Sequence, residues 1–326
     1  MSLPTALTEM FGIDHPIVLA PMGGVAGGAL AAAVSEGGGL GLIGAGRGNL
    51  EWLDRECGLA RAATSKPWGI GFLTWAIGPP AVKAAIERTP AAIMLSFGDP
   101  APFAETIRAA GIPLIVQVTT LDEAKRALDI GANVVVAQGS EAGGHGGGRA
   151  TLPFDPAVAD IAGTTPVLAA GGIADGRGLA AALMLGAAGA MIGTRFEATT
   201  EALLDAEGSK AITAAEAADT VRRRVLDIAT EAGWPARYTA RTLRNSFTDT
   251  WEGRESALAS DQRALAESRA AAERGEREHL AIWAGEGVDL ITELDSASAL
   301  VARMANQAER TITATGNTVR ARRVRH

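Results

Sequence analysis

Residues 166–194 read PVLAAGGIADGRGLAAALMLGAAGAMIGT. Pro166–Ala170 is a short, uninterrupted apolar run, the pattern of a strand buried on both faces. Gly171-Gly172 ends it, Arg177–Leu185 has the composition of a helix, and Gly186 sits where a helix C-cap is needed. Ala190–Gly193 is a second apolar run. The stretch is one strand–helix–strand unit, the connection that joins neighbouring parallel strands.

The unit recurs toward the N-terminus. Further apolar runs lie at Pro16–Ala20, Leu40–Gly44, Trp68–Leu73, Ala92–Ser96, Pro113–Val118 and Asn133–Gln138. Helical stretches lie at Gly28–Ser35, Glu51–Ala63, Pro80–Arg88, Pro102–Ala110 and Leu121–Ile130. Thr120 and Glu123 have the spacing of a capping box, and Gly111 and Gly131 stand at helix ends as Gly186 does. Eight strands alternating with helical segments predict a (β/α)8 TIM barrel. An open doubly wound sheet is the alternative that the same spacing allows.

The chain has 326 residues, of which 47% are hydrophobic, enough for a large buried core. Its formal net charge of −7 argues against a nucleic-acid-binding protein. Cys57 is the single cysteine, which excludes an internal disulfide and a multi-thiolate metal site. The N-terminus lacks a basic segment followed by an apolar run, and no stretch of about 20 apolar residues reads as a membrane span. A soluble cytoplasmic protein is expected, with a homo-oligomer left open.

Composition changes near residue 200. Residues 1–200 hold 33 of the 40 glycines and 29 charged residues, whereas residues 201–326 hold 7 glycines and 38 charged residues. The second region predicts helices at Ala214–Ala232, Pro235–Asn245, Arg254–Arg274 and Ser296–Gln307, with breaks at Trp234-Pro235 and Gly275. The expected organisation is a barrel over residues 1–204, completed by 286–326, with 205–285 as a helical cap inserted after strand 8. Ser296–Gln307 then supplies the last barrel helix. Thr311–His326 reads as a frayed end, and Arg222-Arg223-Arg224 as a solvated helix face.

Glycine clusters follow the strand ends at Met22-Gly23-Gly24, Gly143–Gly148, Gly171-Gly172 and Gly193-Thr194. In a barrel these loops share the C-terminal face, which carries active sites, and the loops after strands 7 and 8 are its usual phosphate seat. Glycine lets backbone N–H groups approach a ligand closely. His145 stands among glycines, placed to remove a proton from an acidic carbon at the barrel mouth. Glu141, four residues earlier, either orients it or faces solvent. Trp75, Trp251 and Trp283 are candidate walls for a ligand or simply packing residues. No cluster has metal-ligand spacing, no GxSxG elbow occurs, and no strand–GxGxxG–helix fingerprint marks a dinucleotide site.

Four blocks together resemble the nitronate monooxygenase family, once called 2-nitropropane dioxygenases. They are Pro16-Ile-Val-Leu-Ala-Pro-Met-Gly-Gly24 with Gly37-Gly-Gly-Leu-Gly41, then Ala137-Gln-Gly-Ser-Glu-Ala-Gly-Gly-His145, Ala169-Ala-Gly-Gly-Ile173 and Gly193-Thr-Arg-Phe196. The resemblance implies a flavin mononucleotide (FMN) cofactor and oxidation of alkyl nitronates, such as propionate 3-nitronate, by molecular oxygen. It places Met22, Gly23 and Gly24 against the isoalloxazine, and Gly171, Gly172, Gly193 and Thr194 at the phosphate. Gln117 falls near the flavin ring, Thr74 and Ser140 are further carry-overs, and His145 matches the catalytic histidine. Relatives on the same barrel include NAD(P)H:quinone oxidoreductases, whose histidine loop reads Glu-Cys-Ala-Gly-His-Pro, and flavin enoyl-acyl-carrier-protein reductases with a Gly-Gly-His loop. Ser140-Glu-Ala-Gly-Gly-His145 departs from the first form, and Ala20-Pro-Met-Gly-Gly24 favours the nitronate enzymes over the second. A flavin-binding protein without catalysis is a further alternative.

Overall fold

The computed structural model describes residues 3–276 and 279–323. Eight parallel strands form the main sheet: β1 (Ile17–Leu19), β2 (Gly41–Gly46), β3 (Trp68–Leu73), β4 (Ala92–Ser96), β5 (Leu114–Val118), β6 (Val134–Gln138), then β8 (Val167–Ala170) and β9 (Gly189–Ile192). β7 (Gly144–Gly146) belongs elsewhere, as described below. β1 pairs with β9 at one side. At the other, Leu19 N–H donates to Leu40 O and Leu40 N–H to Ile17 O, both at 2.9 Å, which closes the ring ahead of β2. The sheet is a (β/α)8 barrel, not the open alternative.

Alternation along each strand divides the barrel into two packed layers. Val18, Leu40, Leu42, Met94, Ile115, Val134, Val136, Leu168 and Met191 fill the interior, together with Leu7, Phe11 and Ile13 from the N-terminal segment. Ile17, Leu19, Ile43, Ile70, Phe72, Ile93, Leu95 and Val116 point the other way and pack beneath the surrounding helices. This two-sided burial explains the uninterrupted apolar runs. Thr120 caps the helix Leu121–Asp129 by accepting from Glu123 N–H, but the Glu123 carboxylate turns back to Thr119 rather than completing a capping box. A helix at Thr151–Ala162 was not legible in the sequence, since Pro153 and Pro156 interrupt its pattern.

The helix Ala297–Arg323 packs against the helices Gly176–Met184 and Gly28–Glu36, filling the gap left after β9. It runs past Gln307, so the frayed end expected at Thr311–His326 is corrected as far as Arg323; Val324–His326 lie outside the described residues.

The inserted region departs from the all-helical expectation. Ala214–Ala232 contains β10 (Thr220–Arg223) and a short helix, Val225–Ala229, while Pro235–Asn245 contains β11 (Thr239–Leu243). Arg254–Arg274 is two helices, Glu255–Ser260 and Gln262–Glu273, divided at Asp261. β10, β11 and β7 form an antiparallel sheet in which Ala240 faces His145. The alternating burial of β11, with Ala240 and Thr242 inward, is a strand signal overridden in the sequence by flanking Ala, Glu and Arg. Among the described residues no helix is long and apolar enough to cross a membrane.

Candidate active site

The strand ends of the C-terminal face and the inserted sheet enclose a cavity of about 310 Å³. Met22, Gly23, Gln117, His145, Gly171, Gly172, Gly193 and Thr194 line it. Three expected residues do not. Gly24 is exposed, Thr74 is buried beside Gly98, and Ser140 contributes its carbonyl to the loop rather than a side chain to the cavity.

Gly171 and Gly172 have φ of +115° and +70°, a conformation that only glycine holds without strain, and it turns the chain sharply at the end of β8. The Thr194 hydroxyl oxygen accepts from Gly285 N–H at 3.0 Å, so its own proton is free to be donated elsewhere. On the neighbouring strands β5 and β6, Gln117 Nε2 is a buried donor and Gln138 Oε1 a buried acceptor, neither with a partner among the described residues. Gln138 Nε2 is spent on the His145 carbonyl at 2.9 Å. Buried polar atoms are ordinarily paired, so these two amide atoms mark places for a ligand's own donor and acceptor.

His145 is not a free loop side chain. Its residue forms the centre of β7, and its ring stacks on Trp234 at 3.4 Å between centroids and 8° between planes. Trp283 lies 5.2 Å away at 49°, and Trp234 in turn meets Trp75 and Phe97. Nε2 lies 2.9 and 3.0 Å from the two carboxylate oxygens of Asp227, which is itself buried. Nδ1 has no partner among the described residues. A carboxylate only accepts, so it fixes the proton on Nε2 and leaves the Nδ1 lone pair available as a base.

Two expectations about this loop are corrected. Glu141 does not orient His145; its carboxylate accepts from Thr151 N–H and the Thr151 hydroxyl at 2.9–3.0 Å, capping the helix Thr151–Ala162. Arg222 is not on a solvated helix face. It lies on β10 and donates to the carbonyls of Ser140 and Ala142 at 3.1 and 2.8 Å, and Arg241 adds a second clasp on Ser140 O at 3.1 Å. Burial, and then the neighbouring Arg241, push the Arg222 guanidinium down to about 10. Trp283 and Trp75 belong to the aromatic group around His145, whereas Trp251 packs in a separate apolar cluster with Leu258 and Leu265. Asp227 and Trp234 were missed because no local motif surrounds them; Asp227 is 82 residues from its partner in sequence.

A closed (β/α)8 barrel with an oriented histidine and partnerless amides in its mouth is the architecture of an enzyme. Comparison with known proteins gives the family. The model for nitronate monooxygenase matches residues 4–77 and 77–307. Nitronate monooxygenase from Paraburkholderia phytofirmans is 34% identical, over 94% of this chain and 96% of its own. Among solved structures, FabK from Thermotoga maritima superposes with a TM-score of 0.86 at 30% identity, covering 97% of this chain and 100% of that one. Nitroalkane oxidase from Streptomyces ansochromogenes gives 0.81 at 30% identity, covering 95% and 100%. The chain belongs to the nitronate monooxygenase family and is an oxidoreductase.

Proposed function

We propose that the protein is an FMN-dependent enzyme that oxidises alkyl nitronates with molecular oxygen. The observation that carries this reading is the presence, in one cavity, of an Asp227-oriented His145 and a rim of Met22, Gly23, Gly171, Gly172, Gly193 and Thr194. The residues fit the cofactor. Gln117 Nε2 and Gln138 Oε1 are a donor and an acceptor awaiting the polar edge of a heterocycle. The turn at Gly171-Gly172 and the Thr194 hydroxyl suit a terminal phosphate. When bound, FMN supplies the electron acceptor and the route by which electrons reach oxygen.

The protein's own part is to hold substrate, exclude water and manage a proton. Trp234, Trp283, Phe97 and Ile173 give the cavity apolar walls that displace water from a small organic anion. For a neutral nitroalkane, His145 Nδ1 takes the α-proton, and the C–H bonding pair remains on the substrate as its nitronate. Asp227 stabilises the imidazolium that results. For a preformed nitronate no proton is removed.

Anaerobic stopped-flow mixing of the flavin-loaded protein with propionate 3-nitronate, ethylnitronate, NADH, NADPH and an enoyl thioester tests the assignment. Fast bleaching of the flavin by the nitronates is expected. Reduction by NADH or NADPH with none by either nitronate would replace it with the quinone-reductase or enoyl-reductase reading.

A further inference from the structure

Glu197 has no part in the chemistry described so far, yet it lines the same cavity. It is 2% exposed, and its Oε2 is a buried atom without a partner. It ends the single helical turn Thr194–Glu197 that begins at the Thr194 hydroxyl. Residues three apart on a helix share a face, with Cβ atoms about 5–6 Å apart. The two side chains therefore address one region of the cavity that both line.

Among the described residues no cation is paired with this carboxyl. Arg195, its neighbour on the same turn, donates to Glu293 O at 3.1 Å. On the segment Glu286–Leu290 packed against it, Glu286 pairs with Arg241 and Asp289 accepts from Ala217 N–H. Beyond it, Asp295 and Glu293 pair with Arg303. Burial alone raises the Glu197 carboxyl well above its ordinary range. A buried acid without a counter-ion keeps its proton and becomes a hydrogen-bond donor.

We propose that the Glu197 carboxyl donates a hydrogen bond to the phosphate of FMN, as a proton-bearing member of the phosphate seat beside Thr194. The inference rests on the FMN assignment above. An ionised carboxylate at this place repels a phosphate dianion, whereas the acid form binds it. Cofactor binding is then linked to retention of one proton, and it weakens as pH rises through the titration of Glu197 in the flavin-free protein.

The test is titration of the flavin-stripped full chain with FMN and with riboflavin, followed by quenching of flavin fluorescence between about pH 7 and 9.5. A phosphate monoester is already a dianion over most of this range, its second ionisation lying near ~6. Wild-type affinity for FMN is expected to fall by about tenfold per pH unit above that titration. Riboflavin, which lacks the phosphate, is expected to lose no more than about threefold over the range, and Glu197→Gln, which retains a neutral donor, is expected to flatten the FMN curve equally. Parallel pH curves for FMN and riboflavin in the wild-type protein would overturn the proposal without any variant. A Glu197→Gln curve that tracks wild type would do so as well. Binding of FMN without this linkage leaves the cofactor assignment standing, whereas failure to bind either flavin overturns both.

Discussion

The barrel rim and the inserted region meet the cavity with different parts of the chain. From the rim come short, glycine-bearing strand ends, Gly171-Gly172 and Gly193 among them, which present backbone groups. From the insertion come side chains. Asp227 holds His145, Trp234 and Trp283 flank its ring, and Arg222 and Arg241 clasp the turn before it. The histidine lies at the seam, on a loop of the barrel recruited as β7 into the inserted sheet. This division separates two tasks. In the proposed reading, a cofactor common to many reactions would sit on the strand ends, against their backbone and the few polar side chains Gln117, Gln138 and Thr194. His145 and the aromatic walls around it are held by an element that can vary without disturbing the barrel.

The division is broken most directly at the seam. His145→Asn is expected to lower turnover of neutral nitroalkanes by about 10²–10⁴-fold while largely sparing preformed nitronates, with FMN still bound. Steady-state rates on both substrate forms and the flavin absorbance of the purified variant check it. Wild-type rates on both forms would show that His145 takes no proton, and loss of FMN would show that it serves the cofactor site instead.

Asp227→Asn sharpens the same comparison from the insertion side. The asparagine amide can donate to Nε2, which moves the ring proton to Nδ1 and removes the base. A loss approaching that of His145→Asn, about 10²–10⁴-fold, is expected on neutral nitroalkanes, with FMN affinity unchanged. The acid limb of the pH profile for proton removal should also change shape, which a purely structural partner would not produce. An unaltered profile would mean that the carboxylate only packs.

The smallest effect is expected on the barrel alone. Asp155 is buried, has no partner for either oxygen among the described residues, and is pushed by burial from 3.8 up to about 6. A carboxyl with a raised folded-state pKa contributes fully below the unfolded value, and that contribution is lost as pH rises through the folded one. Stability should therefore decline between about pH 4 and 6 for this reason, by up to about 3 kcal/mol. Asp155→Asn should flatten that window and raise stability at pH 7 without affecting turnover. Denaturant unfolding at the two pH values checks it. A variant less stable than wild type at pH 7 would show that the carboxylate is ionised and satisfied.

The barrel was legible because its signals are local. A parallel strand buried on both faces is an apolar run whatever its neighbours are, and a helix end needing positive φ calls for glycine, as at Gly111, Gly131 and Gly186. The glycine clusters at the strand ends were legible for the same reason. The insertion was misread because β10 and β11 are short and polar, and their strand character comes from pairing with each other and with β7. Arg222 looked solvated for want of any local sign of the carbonyls it serves. By itself, then, the amino-acid sequence determined the strand order, the glycine-rich strand ends and the position of His145, since each depends on residues close together in the chain. Only the tertiary structure decided which ring nitrogen is free, what stacks on the ring, and that Glu197 is buried beside Thr194 without a counter-ion, because those follow from side chains brought together across long loops and from the water their packing excludes.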